Sequence, residues 1–432
     1  MTVAARSISN RLTATRLARS LLGTFFTVCL TGCLVVDNQT KAPADVLPVV
    51  NPAPLERDFR ANNAGHTVLV AVVDSGTDYN HPALTQNIHF ELDSSGRPTG
   101  AGFDFIGNDP WPAPYLARTF DIDPQAPAQQ RNNSRSVRKL LNATLALAPE
   151  LSVMLDPRRS IEFEAQGAAH GTHVAALVTR GDRSIGLIPY RVMPVNSEAG
   201  DAPIEVLAYR ATARQVRQGI ENAIARKARI INLSLGLRKR DIPESIHAEF
   251  ETWKHDFKSI ALANPHVVFV AAAGNDNENV KPDGDQFPCG VRAPNVLCVT
   301  ATDGNGQKAD FSNTVAPELT QIAALGKDVT SAYPSGFCNS EYLKYMAMSE
   351  GFDLEPALIL AFANQMKREC SGEAYVKESG TSMAAPLVAG ELARLSQRQP
   401  LEPAEALIKR LLMKAQGGVL QISPPKEQHL AQ

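Results

Sequence analysis

Short, uninterrupted apolar runs constrain this chain most. Val68-Leu69-Val70-Ala71-Val72-Val73 has no polar residue at either parity, so a strand built from it is buried on both faces. Ile230-Ile231-Asn232-Leu233 and Val267-Val268-Phe269-Val270 read the same way, and Asn295 to Thr300 reads as a further short strand. Between the runs the spacing turns helical: Ile204, Leu207, Ala211, Ile220 and Ile224 mark one helix, and Ile246, Phe250, Trp253, Phe257 and Ile260 a second. Helices alternating with doubly buried strands make βαβ units. The expected architecture is therefore an α/β fold with a mostly parallel central sheet flanked by helices, and ligands meet such sheets at the strands' carboxyl ends.

Four chemically distinctive segments fall at those ends. Val72-Val73-Asp74-Ser75-Gly76 and Ala272-Ala273-Gly274-Asn275-Asp276 follow apolar strands. His170-Gly171-Thr172-His173 opens a helix, and Gly380-Thr381-Ser382-Met383-Ala384-Ala385-Pro386 leads into another apolar helical stretch. Alone, each has a bland reading: Asp74 a cap or turn residue, His170 a polar helix start, Asn275 a turn, Ser382 an N-cap. Together they supply an acid, a base, an amide donor and a nucleophile, the parts of a serine hydrolase. The order Asp, His, Ser is one of three chain orders that give the same triad geometry on unrelated folds.

The four segments resemble the subtilase family of serine endopeptidases. Asn80-His81-Pro82-Ala83-Leu84 after the aspartate and the turn Phe311-Ser312-Asn313 add to the likeness. It spans roughly residues 60–415 and implies a three-layer subtilisin-like fold. A peptidase domain is expected over 59–416, with insertions near 112–165 and 338–372 and a C-terminal tail over 417–432. By the resemblance, Asp74 orients His170, His170 takes the Ser382 hydroxyl proton, and Ser382 attacks a peptide carbonyl. The Asn275 amide and the Ser382 N–H then hold the oxyanion. Ser234-Leu235-Gly236 carries over as an edge that pairs with extended substrate, and Ala272-Ala273-Gly274 as the facing wall of the pocket. Ala175-Ala176 replaces the frequent Ala-Gly, and Ala324-Leu325-Gly326 the frequent Ala-Pro-Gly; both are packing-level departures. The chemistry requires no cofactor and no metal. Structural calcium is common in the family, but no acidic loop here matches a specific site, and Asp121, Asp123, Asp283 and Asp285 read as solvated turn residues.

Residues 1–32 form a basic leader with Arg6, Arg11, Arg16 and Arg19, followed by a short apolar stretch from Leu21 to Leu30. It ends in Leu30-Thr31-Gly32-Cys33, which resembles a bacterial lipobox whose cysteine is acylated. An ordinary cleaved signal containing Cys29 and Cys33 is the alternative. Residues 33–58, with Pro43, Pro48, Pro52 and Pro54, read as a tether. Leu34 rather than aspartate after the cysteine points to the outer membrane by analogy with enteric bacteria. This placement makes the protein a lipid-anchored resident of the bacterial cell envelope. The stretch between Cys33 and the domain is too short for the folded pro-domain of many secreted subtilases.

Four further cysteines, Cys289, Cys298, Cys338 and Cys370, suggest two disulfides in an exported chain. Three connectivities are open, and the local pairs Cys289–Cys298 and Cys338–Cys370 are favoured. A net charge of -2 gives no reason to expect a nucleic-acid partner. Expected partners are protein or peptide substrates and, through the lipid, a membrane; the chain is expected to be a monomer. Two other functions stay open: a processing protease with a single partner substrate, its site restricted by the insertions, and a non-catalytic lipoprotein that only binds. The presence of Asp74, His170, Asn275 and Ser382 together argues against the second.

Overall fold

The computed structural model describes residues 58–79, 81–106, 108, 110–112, 169–193, 204–334 and 375–421. The leader, the lipobox with Cys33, the tether up to residue 57, the first insertion beyond Pro112 with Asp121 and Asp123, the whole second insertion with Cys338 and Cys370, and residues 422–432 of the tail lie outside the described residues. After a short helix α1 (Phe59–Ala64), the chain enters β1 (Val68–Asp74). The later strands of the main sheet are β2 (Phe103–Asp104), β3 (Ile185–Arg191), β4 (Ile230–Leu233), β5 (Val268–Ala272), β6 (Val296–Thr302) and β7 (Gln321–Leu325). Helix α2 covers residues 169–179. It is followed by α3 (Ile204–Ala225), α4 (His247–Ala263), α5 (Thr381–Ser396) and α6 (Ala404–Lys414).

The seven strands run in the order β7-β6-β5-β4-β1-β3-β2, and every pairing between them is parallel. β1 lies inside the sheet, with β3 on one side and β4 on the other, so the chain reverses its direction of travel across the sheet at β1. That reversal is where an open α/β sheet leaves a crevice beyond its carboxyl ends, and Asp74 closes β1 there.

The alternation of β1 separates two cores. Val70 and Val72 join α2, α5 and α6 through Val174, Leu177, Met383, Leu387 and Leu407. Ala71 and Val73 join α3 and α4 through Val216, Ile220, Phe257 and Ala261. These are the two helical layers over one sheet that the doubly apolar strands imply. α5 is buried on almost every side, as expected of a helix apolar all round.

Among the differences from the sequence expectation are one strand start and one whole strand. β6 begins at Val296 because the Asn295 amide turns back to the carbonyls of Ala261, Asn264 and Val267 at 2.8, 3.1 and 2.9 Å, closing the end of α4. β7, which carries no apolar run, alternates between half-buried and buried residues as an edge strand does. Its outer edge is partly covered: Ala323 N–H donates to Gly418 O at 3.0 Å and Leu420 N–H to Ala323 O at 2.7 Å. Cys289 and Cys298 form the expected local disulfide, with Cα atoms 5.0 Å apart. At the opposite edge, Arg191 and Asp104 form a fully buried ion pair at 2.8 Å.

Candidate active site

The sheet fixes where Asp74 and His170 meet. Asp74 has a nearly inaccessible side chain, and its Oδ1 accepts from the Ser75 N–H at 2.7 Å and from His170 Nδ1 at 2.8 Å. In the neutral ring that contact fixes the tautomer, with the proton on Nδ1 and the lone pair on Nε2. Ser75 adds a second tie, its hydroxyl oxygen accepting the Gly171 N–H at 3.0 Å. Only glycine fits next to His170. A Cβ on Gly171 would lie 2.1 Å from the Gly76 carbonyl and 3.2 Å from Asp74, so a side chain there would push α2 off β1.

Burial pushes the His170 imidazolium down. The Asp74 charge, the Asp74 hydrogen bond and the charge of Glu378 outweigh it and hold the group up to about 9. One turn on, burial and then the His170 charge push His173 down to about 3, so it stays neutral. His173 is structural: its Nε2 donates to the Val329 carbonyl at 3.1 Å.

Ser382 sits in the first turn of α5, half-buried, where the leading N–H groups have no helical partner. Pro386 lies four residues on and has no N–H, so the Ser382 carbonyl lacks its helical donor. The Ser234 hydroxyl replaces it, donating to Ser382 O at 2.8 Å and accepting from Asn232 Nδ2 at 2.9 Å. In return the Ser382 hydroxyl donates to the Ser234 carbonyl at 3.2 Å. The serine is thus bound at two points to the segment that follows β4.

Asn275 faces it from the end of β5. Its Oδ1 accepts the Thr381 N–H at 2.8 Å and the Thr381 hydroxyl at 3.0 Å, while Thr381 Oγ1 accepts the Gly274 N–H at 3.0 Å. With the oxygen committed twice, the amide Nδ2 is the free end. The loop beneath is braced by Asn313, whose Oδ1 accepts from the Asp276 and Glu278 N–H groups and whose Nδ2 donates to Ala273 O at 2.8 Å. Gly274 adopts φ +100°, and a Cβ there would stand 2.6 Å from Asn313 Nδ2, so the turn before Asn275 requires glycine.

β4 and β5 are adjacent, so Ser234-Leu235-Gly236 and Ala272-Ala273-Gly274 leave the sheet as two walls of one slot. Ser234, Ala272 and Ala273 are buried, whereas Gly236 is exposed. Arg238, beyond the first wall, makes ion pairs with Asp241 and with Asp276 beyond the second. The structure therefore brings Asp74 and His170 into contact, ties Ser382 to Ser234 and Asn275 to Thr381, and sends both candidate wall segments from adjacent strands at the same end of the sheet.

Sequence reading missed Thr381 as the orienter of Asn275, the Pro386–Ser382–Ser234–Asn232 chain, the Arg238–Asp276 bridge and Glu378. Only Pro386, four residues after Ser382, left a readable signal. Among the described residues, no group of three or more His, Cys, Asp or Glu side chains is placed to hold a metal ion. A cleft of about 630 Å³ lined by Lys258, Cys289, Arg292, Glu318, Lys409 and Leu412 shares no residue with the site.

Known proteins share this sequence pattern. A thermostable alkaline protease of Halalkalibacterium halodurans is 31% identical over 233 residues, covering 54% of this chain and 48% of that protein. Subtilisin DY of Bacillus licheniformis is 26% identical over 256 residues, covering 58% of this chain and 71% of that protein. The matched part thus spans about half the length of the first relative and more of the second. Among solved structures, a lanthipeptide protease is 17% identical with a TM-score of 0.48, 85% of each chain being covered. Over residues 65–428 the sequence matches the subtilase family, and the chain belongs to that family.

Proposed function

We propose that this chain is a serine endopeptidase that cleaves peptide bonds in proteins through an acyl-enzyme, held at the bacterial envelope by a lipid on Cys33. The observation that carries the catalytic part is the 2.8 Å contact of His170 Nδ1 with the buried Asp74, at the same carboxyl end of the sheet as Ser382 and Asn275. Substrate lies extended along Ser234-Leu235-Gly236, and the side chain before the scissile bond enters the slot against Ala272-Ala273-Gly274. Rotation about the Ser382 Cα–Cβ bond releases its hydroxyl from the Ser234 carbonyl and turns it to His170 Nε2.

As Oγ attacks the carbonyl carbon, its proton passes to Nε2 and the carbonyl electron pair moves onto oxygen. The Asn275 Nδ2 and Ser382 N–H donors receive that oxyanion. Collapse breaks the C–N bond, and the leaving amine takes the proton from His170. Water then repeats the sequence on the ester and frees Ser382.

A fluorophosphonate probe tests the assembly of the site, with labelling of wild type at Ser382 expected. Folded protein that takes up no probe would favour the binding-protein reading. Asn275→Ala removes one oxyanion donor and is expected to lower kcat by about 10²–10³ with KM little changed. Steady-state kinetics on a chromogenic peptide check this, and an unchanged kcat would remove Asn275 from the oxyanion site. The anchor rests on the leader and on Leu30-Thr31-Gly32-Cys33. Cys33→Ser is expected to move the protein from the detergent phase to the aqueous phase on Triton X-114 partition, since the acyl chains supply the membrane affinity. Unaltered partition would count against lipidation.

A further inference from the structure

Glu378 meets no reacting atom in the chemistry described so far, yet it stands four residues before Ser382 on β9 (Tyr375–Glu378). This strand pairs antiparallel with β8 (Val329–Ala332), and Val329 is directly opposite Glu378. The hairpin packs along α2. His173 reaches the Val329 carbonyl and the backbone of Val376, and the Ser331 hydroxyl donates to His173 O at 2.8 Å. Residues three apart share a helix face, and residues two apart share a strand face. Stepping from His173 back to His170, and from Val376 on to Glu378, therefore moves along both elements toward Ser382. β9 then leads straight into the nucleophile, with the Gly380 N–H held by Gly326 O at 2.8 Å.

From this placement we infer that Glu378 is a second carboxylate serving His170: a positioning residue that stabilises the imidazolium formed during attack and moves the enzyme's working range toward alkaline pH. The inference rests on the serine-peptidase reading above.

The electrostatics agree with the geometry. Glu378 is half-buried, and its carboxyl is pushed up first by burial; the His170 charge pulls it down, and the Asp74 charge adds to the rise. The charges that act on His170 are those of Asp74 on β1 and Glu378 on β9. His173 on its own helix is neutral over the working range. The sign follows. Removing the Glu378 charge destabilises imidazolium and leaves neutral imidazole untouched, so His170 loses its proton at lower pH. The acid limb of kcat/KM reports the free enzyme's base. It therefore moves acidward, while the alkaline plateau falls because the transition-state imidazolium has lost a partner.

The test measures kcat/KM from pH 5 to 10 for wild type, Glu378→Gln, Glu378→Asp and Glu378→Lys. The His170 imidazole is titrated by NMR in the same proteins, its signal assigned by loss in His170→Ala. Expected is a downward shift of the limb by about half to one pH unit in Glu378→Gln, and more in Glu378→Lys, with the NMR midpoint moving alongside. Glu378→Asp is expected to keep most of the wild-type position. A limb and midpoint at wild-type values in folded Glu378→Gln would overturn the inference, even if activity had dropped, because a purely structural role lowers rate without moving the titration. Should wild type cleave nothing, the peptidase reading fails, while the NMR midpoint still decides the pairing of Glu378 with His170.

Discussion

Ser382→Ala is expected to lower peptide turnover on the order of 10⁶-fold, the size of the penalty when the nucleophile of a subtilisin is removed. The size follows from how the site is divided. In the proposed mechanism His170 and Asp74 act on the substrate only through the Ser382 proton, so without that hydroxyl the base has nothing to activate. The slot walls and the Asn275 donor remain, and they can accelerate only direct attack by water. Substrate binding is thus expected to survive, with KM close to wild type. Folding is expected to survive as well, because the Ser382 atoms that hold α5 in place belong to its backbone: the carbonyl accepts the Ser234 hydroxyl, and that bond persists in alanine. Active-site labelling and kcat on one protein preparation check this. Activity within tenfold of wild type would show that another group is the nucleophile.

Much of the fold was legible because its strands are buried on both faces. Val68 to Val73 carries no polar residue, and the structure buries alternate members in two separate helical layers. Limits and edges were less legible. Asn295 looked like the start of a strand, but its side chain is consumed in closing α4. β7 faces a core with only alternate residues, so no continuous apolar run announces it. Helix α5 was visible as an apolar stretch after Ser382, and its burial nearly all round follows from that composition.

The site divides along the same line. Asp74, His170, Asn275 and Ser382 were readable because each closes or opens a regular element, and the parallel sheet gathers those ends at one edge. The groups that orient them were not, because orientation depends on pairs distant in sequence. Thr381 fixes the Asn275 amide across 106 residues, and Ser234 replaces the donor missing at Ser382 across 148. The Glu378 carboxylate reaches His170 only because the β8–β9 hairpin lies along α2. Such contacts leave no periodicity or local motif.

Asp74→Asn separates orientation from charge, and its expected cost is about 10⁴-fold in kcat. Asp74 Oδ1 accepts two hydrogen bonds, from Ser75 N–H and from His170 Nδ1. An asparagine can keep its oxygen there, but its NH₂ then takes the place of Oδ2, a buried atom with no hydrogen-bond partner among the described residues. Turning the amide over meets a different difficulty. The NH₂ then faces the Ser75 N–H and donates to His170 Nδ1, which puts the imidazole proton on Nε2, where it can no longer accept from Ser382. Either arrangement also removes the negative charge that does most to hold the imidazolium up to about 9. Burial, the largest influence acting in the opposite direction, then gains ground, so the residual activity is expected to keep its acid limb at lower pH than wild type. Glu378→Gln moves the same limb in the same direction with a far smaller loss of rate, because it leaves the tautomer intact. Comparing the two pH profiles therefore distinguishes the carboxylate that sets the tautomer from the one that only supplies charge. An Asp74→Asn enzyme within tenfold of wild-type kcat would mean that Asp74 does not orient His170.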